Sequence, residues 1–298
     1  MMIGGDPIYH PLLKGAIDLH CHCAPSLYPR KQTDWELVRD LKASGMAGAV
    51  IKSHESQTVD RTALIRMAEP ELHVYGGLVC NEMAGGLSPA SVEAAIKLGA
   101  KIIWMPTVSA RAHRSYYSRN RSGRIHVTAP VRQRGPGLEI WDENRRILPE
   151  VHEILRLIAE ADVVLATGHL SPGEVYALAK AAGEHGVAKL LIQHADLGIA
   201  PIPLEMQREL VRGGALIEKC YLACGADFRT LTVEEMGHTI RVLDPASCVL
   251  VTDYGQAHNP PPVEALSRFV GEIARCGFSD EEIRRMIVHN PRQLLGID

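Results

Sequence analysis

Short apolar runs alternate along the chain with longer stretches in which apolar residues recur every three or four positions. Eight runs rich in Val, Ile and Leu, each followed by small or polar residues, predict strands at 16–20, 47–52, 73–79, 101–105, 163–167, 189–194, 214–218 and 247–252. The stretches between them predict helices and carry their own start signals. Thr33 with Glu36, Thr232 with Glu235 and Ser279 with Glu282 are spaced as capping boxes, in which each side chain satisfies the other residue's free backbone N–H. Ser88 before Pro89 and Ser171 before Pro172 put proline at the first helical position, where its missing donor is harmless. Val151, Ile154, Leu155 and Ile158 make one apolar stripe, as expected of a helix lying on a sheet.

Strand followed by helix, repeated, is the pattern of βαβ units and predicts an α/β protein with a parallel sheet. Eight such units favour a closed (β/α)8 TIM barrel, because closure removes both exposed edges and right-handed crossovers place every helix outside. An open doubly wound sheet is the alternative; against it, the first strand-to-helix turn holds no Gly-x-Gly-x-x-Gly. One interval breaks the regularity: the extra residues between strands four and five run from 107 to 144. Between 107 and 137 they include seven arginines (111, 114, 119, 121, 124, 132 and 134) and no Asp or Glu, with Tyr116 and Tyr117 among them. The expectation is one barrel domain over 1–298 with a long Arg-rich insertion after strand four.

Composition narrows the partners rather than the fold. The 298 residues carry 32 Lys+Arg against 35 Asp+Glu, a net charge of −3, and 46% are hydrophobic, an ordinary globular balance. Such a charge provides no global basic field for nucleic acid or an acidic membrane surface. Seven cysteines at 21, 23, 80, 220, 224, 248 and 276, odd in number and without a repeated short spacing, argue against a disulfide framework. No apolar run has the length of a membrane span, and the first residues lack a basic start followed by an apolar stretch, so the expectation is a cytoplasmic protein. A homo-oligomer is left open.

The ends of the strands hold the candidate chemistry. Strand one closes on Asp18-Leu19-His20-Cys21-His22-Cys23, and the strand period of two puts His20 and His22 on one face and the thiols on the other. Strand five ends at His169, strand six at His194 and strand eight at Asp253. Four imidazoles and a carboxylate at one end of a barrel are costly to bury unpaired, and a divalent cation resolves that cost.

This ordered set resembles the amidohydrolase superfamily of metal-dependent barrels. The ending Asn290-Pro291-Arg292-Gln293-Leu294-Leu295-Gly296 is similar to that superfamily's Asn-Pro-Ala-x-x-Leu-Gly. The resemblance implies that His20, His22 and Asp253 bind one metal, and that His169 and His194 bind a second or partner the nucleophilic water. It implies zinc first, with Mn²⁺ or Fe²⁺ as alternatives that accept the same ligands. Asp253 and His194 are the expected catalytic pair, Asp253 taking a proton from water and passing it to the leaving group. Strand four departs from the superfamily, offering Trp104-Met105-Pro106 where a bridging carbamylated lysine or glutamate is usual.

Further candidates share that end of the barrel. Lys52 and His54 fall on one face at the end of strand two, and Glu218 lies near the end of strand seven. An ammonium beside a divalent cation must be neutral, carbamylated or set back to pair with substrate, and substrate pairing is favoured for Lys52. Asn81 and Glu82 close strand three before the flexible Gly85-Gly86. Arg111 and Arg114 of the insertion provide planar forks for a carboxylate or phosphate, which points to a small anionic substrate. The reading is a metal-dependent hydrolase acting on a C–N or C–O bond. A metal-dependent decarboxylase of the same superfamily and a non-catalytic barrel that binds metal or a small ligand are the alternatives.

Overall fold

The computed structural model describes residues 9–120 and 135–297. All eight predicted runs form strands: β1 (Ile17–Cys21), β2 (Gly48–Ile51), β3 (His73–Tyr75), β4 (Gly77–Val79), β5 (Ile102–Trp104), β6 (Val164–Ala166), β7 (Leu190–Ile192), β8 (Leu216–Cys220) and β9 (Cys248–Val251). Neighbours pair in parallel, in a three-stranded sheet β1-β2-β3 and a six-stranded sheet running in order from β4 to β9. The strands are buried along almost their whole length, as parallel strands covered on both faces are.

One uninterrupted closed ladder was the expectation, and the ladder is instead broken in two places. The third predicted run is split at Gly76, where Thr58 presses against the backbone: a Cβ on Gly76 would stand 2.6 Å from the Thr58 carbonyl oxygen. The Thr58 hydroxyl donates to Ile51 O at 2.7 Å and accepts from Gly77 N at 3.0 Å, taking over bonds that a continuous strand would make. The second break lies between β9 and β1. Backbone bonds bridge it just past the strand ends, from Asp253 N to His20 O (2.9 Å) and from His22 N to Tyr254 O (2.8 Å). Beneath them the Thr252 hydroxyl donates to Asp18 Oδ2 at 2.6 Å.

The helices are α1 (Asp34–Ser44), α2 (Val59–Ala68), α3 (Pro89–Lys97), α4 (Arg111–Arg119), α5 (Pro149–Ala161) and α6 (Pro172–Glu184), followed by α7 (Leu204–Arg212), α8 (Val233–Leu243), α9 (Pro262–Arg275), α10 (Asp280–Arg284) and α11 (Asn290–Leu295). The three predicted capping boxes start α1, α8 and α10, and Ser171 with Glu174 adds a fourth at α6. The stripe on α5 is fully buried, each such side chain contributing about 1.5–3 kcal/mol. Asn290 in the C-terminal motif donates from Nδ2 to the carbonyls of Ala246 (3.0 Å) and Cys248 (2.7 Å), tying α11 to the start of β9. Among the described residues no helix is long and apolar enough to cross a membrane.

Candidate metal centre

β1 places the first two imidazoles as its period demands. His20 and His22 point to one side, while the Cys21 thiol turns the other way and donates to Val50 O at 3.5 Å. Both imidazoles meet Asp253, which stands just past β9: Asp253 Oδ1 lies 2.9 Å from His20 Nε2 and 3.0 Å from His22 Nε2. His194 approaches from the end of β7, its Nε2 3.6 Å from Asp253 Oδ2. All four side chains are buried.

The nitrogens facing away from this meeting point are also engaged. His20 Nδ1 is 3.1 Å from Glu218 Oε1, and His22 Nδ1 is 2.8 Å from Lys52 O. His194 Nδ1 faces the same Glu218 oxygen at 3.3 Å, off the line of a hydrogen bond, and its Nε2 is 2.8 Å from Gln193 Nε2. His20 and His22 therefore each have an acceptor on both nitrogens, and a neutral imidazole has one proton for two acceptors. Burial holds His22 well below the ordinary histidine range, reinforced by Arg30 and only partly opposed by Asp253. His20 is moved the other way, since Asp253 and Glu218 outweigh its burial. Burial pushes Asp253 up, yet His20 and His194 hold it well below the usual carboxylate range.

A proton on His20 satisfies that ring, whereas His22, kept neutral, still lacks one. A cation at the Nε2 side of both rings, with Nδ1–H donating to Glu218 and to the Lys52 carbonyl, gives each ring a partner on both nitrogens. His20, His22 and Asp253 thus fit a divalent ion, and so do His20, His194 and Glu218, whose ligand atoms also converge. Outer partners that fix the tautomer of ligand imidazoles are the usual companion of such sites.

The backbone at these strand ends is unusual. His194 has φ 50° and Asp253 φ 55°, left-handed values that side chains other than glycine's adopt at a cost. Gly168, just before His169, has φ +62°, and a Cβ there would stand 2.3 Å from Met105 O. Three strands therefore turn sharply where a candidate side chain leaves them.

A cavity of about 380 Å³ opens onto His22, His54, His169, His194 and Asp253. Its lining also includes the apolar side chains of Val108, Leu197, Ile199, Leu222 and Phe228. Three residues expected to bind substrate do not line it. Lys52 is buried with Nζ 3.2 Å from His20 Nε2 and 5.6 Å from the Trp104 ring centroid, and burial brings its pKa down to about 8 against the pull of Asp253 and Glu218. Glu218 lies beneath the imidazoles of His20 and His194, held below the ordinary carboxylate range by both despite its burial. Arg111 faces outward and pairs with Glu139 at 2.7 Å.

Arg114 does line the cavity, and its Nη2 pairs with Glu82 at 2.6 Å. His54 Nδ1 lies 2.9 Å from Thr107 Oγ1, which accepts from Asn81 Nδ2 at 2.8 Å. His169 stands one ring away from the converging ligands, its centroid 5.0 Å from that of His194 and its Nε2 buried without a hydrogen-bond partner. Arg121, Arg124, Arg132 and Arg134 of the expected insertion lie outside the described residues.

His113 and Arg30 are among the cavity residues that were not foreseen. His113 on α4 stacks on His169, with the two Nδ1 atoms 2.7 Å apart, so a single proton is shared between them. Arg30 sits in the loop after β1 and leans on the cavity from the side of His22. Arg30 lies in a loop, where no period predicts direction, and His113 lies on α4, a helix inside the expected insertion that the apolar runs did not announce; a lone arginine eight residues after His22 was the only trace of Arg30.

Residues 15–218 match the model of a family of unknown function, DUF6282. No curated protein matches the chain. Solved structures match over nearly its whole length. An amidohydrolase from Pseudomonas aeruginosa aligns at 12% identity, covering 96% of this chain and 96% of its own, with a TM-score of 0.63. A phosphotriesterase homology protein from Escherichia coli, with phosphate in its active site, aligns at 14% identity over 95% of this chain and 99% of its own (TM-score 0.58). A mutant organophosphorus hydrolase from Deinococcus radiodurans aligns at 14% identity over 96% and 95% (TM-score 0.58). At such identities the likeness is one of fold, that of the amidohydrolase and phosphotriesterase barrels.

Proposed function

The chain belongs to the family of unknown function DUF6282, and we propose that it is a metal-dependent hydrolase that cleaves a C–N or C–O bond in a small anionic substrate. The observation that carries this reading is that His20 Nε2 and His22 Nε2 both lie about 3 Å from Asp253 Oδ1, with His22 and Asp253 in the wall of a cavity. We read the two sheets as parts of one (β/α)8 barrel domain, with the site at the mouth formed by the strands' C-terminal ends.

His20, His22 and Asp253 would hold a divalent cation, zinc being the ion that best suits two imidazoles and a carboxylate. Such a cation supplies a Lewis acid that polarises a substrate oxygen and acidifies water. The chain's own residues do the rest. Asp253 turns Oδ1 toward His20 and His22 and Oδ2 toward His194, so one oxygen is left to accept a proton from water and return it to the leaving group. Glu218 keeps His20 aimed inward and the Lys52 carbonyl does the same for His22, while Glu218 also accepts from the His194 backbone N–H at 3.3 Å. His194, lowered to about 4 chiefly by burial, stays neutral near pH 7 and orients the reacting groups without carrying charge.

Elemental analysis of the purified protein tests the first half of this reading, with at least about one equivalent of a transition metal expected. His20→Ala should lose most of it. Asp253→Asn, assayed on a panel of esters, lactones and amides, should lower kcat by about 10²–10⁴-fold. A protein purified without metal, taking none up on addition and no less active as Asp253→Asn, would falsify the assignment.

A further inference from the structure

Two half-buried arginines have a carboxylate of their own: Arg61 pairs with Asp34 at 2.7 Å, and the cavity residue Arg114 with Glu82 at 2.6 Å. Arg30 is different. Its Nε donates to Ser26 Oγ at 3.1 Å, its Nη2 lies 3.4 Å from His22 Nδ1, and its Cζ stands 5.2 Å from the Tyr28 ring centroid. Among the described residues no carboxylate comes within ion-pair distance of it. His22 Nδ1 cannot absorb the guanidinium's hydrogens if its own proton is on the Lys52 carbonyl. Most of the fork is therefore unspent, and it faces the cavity.

The placement is built. The loop after β1 is laced to the loop after β9 through Lys31 N donating to Gly255 O at 2.8 Å and Ala257 N to Pro29 O at 3.2 Å, with Arg30 bridging to Gln256. Gln256 in turn donates from Nε2 to Asp253 O at 2.8 Å. The guanidinium is thereby fixed beside the same residues that form the candidate metal centre. Burial pulls its pKa down, opposed by Glu55 and Asp253. A guanidinium partly withdrawn from water without a matching anion is a costly arrangement, and a bound anion relieves it.

We propose that Arg30 is the anion-binding fork of this site and that the substrate is an organic acid whose carboxylate it holds. The apolar body of that acid lies against Leu197, Ile199, Leu222 and Phe228, and its scissile bond is presented to His20, His22 and Asp253. A single planar fork matches a monoanionic carboxylate in bidentate fashion. Among the described residues the other cavity arginine, Arg114, is already matched by Glu82, so a dianionic phosphate would find one unpaired guanidinium fork there rather than two. The apolar residues of the cavity lining suit a hydrocarbon body better than a sugar or a nucleotide. The assignment of the scissile bond rests on the hydrolase reading; the carboxylate assignment does not.

Calorimetric titration of the metal-loaded protein with benzoate, benzamide and inorganic phosphate tests the fork directly. Benzoate should bind, and benzamide and phosphate should bind at least about 10-fold more weakly. Arg30→Met should weaken benzoate by about 10–100-fold at unchanged metal content, with benzamide little affected, and Arg30→Lys should fall between the two. Unchanged benzoate affinity in both variants, equal losses for benzoate and benzamide, or tighter binding of phosphate would each overturn the proposal. Hydrolysis separates it from the parent reading. Monomethyl glutarate should be preferred over dimethyl glutarate, and Arg30→Met should lower that ratio by about 10-fold. If neither ester is cleaved while Arg30-dependent benzoate binding persists, only the hydrolase reading fails; if both are cleaved with a ratio that Arg30→Met leaves unchanged, only the fork fails.

Discussion

Two of the side chains at the candidate centre stand on backbone that resists them. His194 and Asp253 adopt φ of 50° and 55°, where a Cβ crowds the following carbonyl. Glycine in either place would relax the chain but remove the functional group, so the two demands separate experimentally. Asp253→Gly is expected to be more stable than Asp253→Ala by about 1 kcal/mol, and His194→Gly than His194→Ala by a similar amount, in urea unfolding of the metal-free protein. Equal stabilities would mean that the turn is not strained. The face of each strand residue was legible from the period of two, which is why His20 and His22 meet Asp253. Depth was not legible. Lys52 and Glu218 fall at strand ends, as expected, but their side chains turn to the His20 ring and stay out of the cavity lining, because parity fixes the side of a strand and says nothing of how far a long side chain folds back. Arg30 comes from a loop and His113 from α4, a helix inside the expected insertion, and the course of both depends on tertiary contacts.

At the scale of elements, close backbone approach decides where the centre sits. Gly255, two residues after Asp253, has φ +140°, and a Cβ there would lie 2.0 Å from His22 O. That glycine lets the loop after β9 lie flat on the end of β1. Gly255→Ala should destabilise the protein by about 2–4 kcal/mol and reduce bound metal. Gly183→Ala, on α6 where nothing lies within 4 Å, should be neutral or stabilise by up to about 1 kcal/mol. Comparable effects of the two on melting and metal content would sink this account. Apolar runs and capping boxes announced the strands and helix starts because both are local patterns. The break at Gly76 was invisible to them, since it depends on the hydroxyl of Thr58, eighteen positions away in the chain.

For the whole molecule, the burial of so many imidazoles sets a dependence on acidity. Burial lowers His194 to about 4 and His113 to about 3, and takes His22, His54 and His169 well below their ordinary range. The unfolded chain takes up protons below about pH 6.5 that these folded groups refuse, so stability is present above that pH and is lost as the pH falls toward about 4. His194 alone accounts for about 3 kcal/mol of that loss once the pH reaches about 4. Asp18, raised to about 6 by burial, opposes it by favouring the folded state in acid, as does the raised His20. The melting temperature of chelator-treated protein should still drop steeply between pH ~7 and ~5. A flat profile would show that the rings are not neutral in the folded state. The partners His22 and Asp253 are separated by 231 positions in the chain. During synthesis, then, the first imidazoles of the candidate centre leave the ribosome long before the carboxylate that faces them, and a chain cut short of residue 253 has those rings but no acid to meet them.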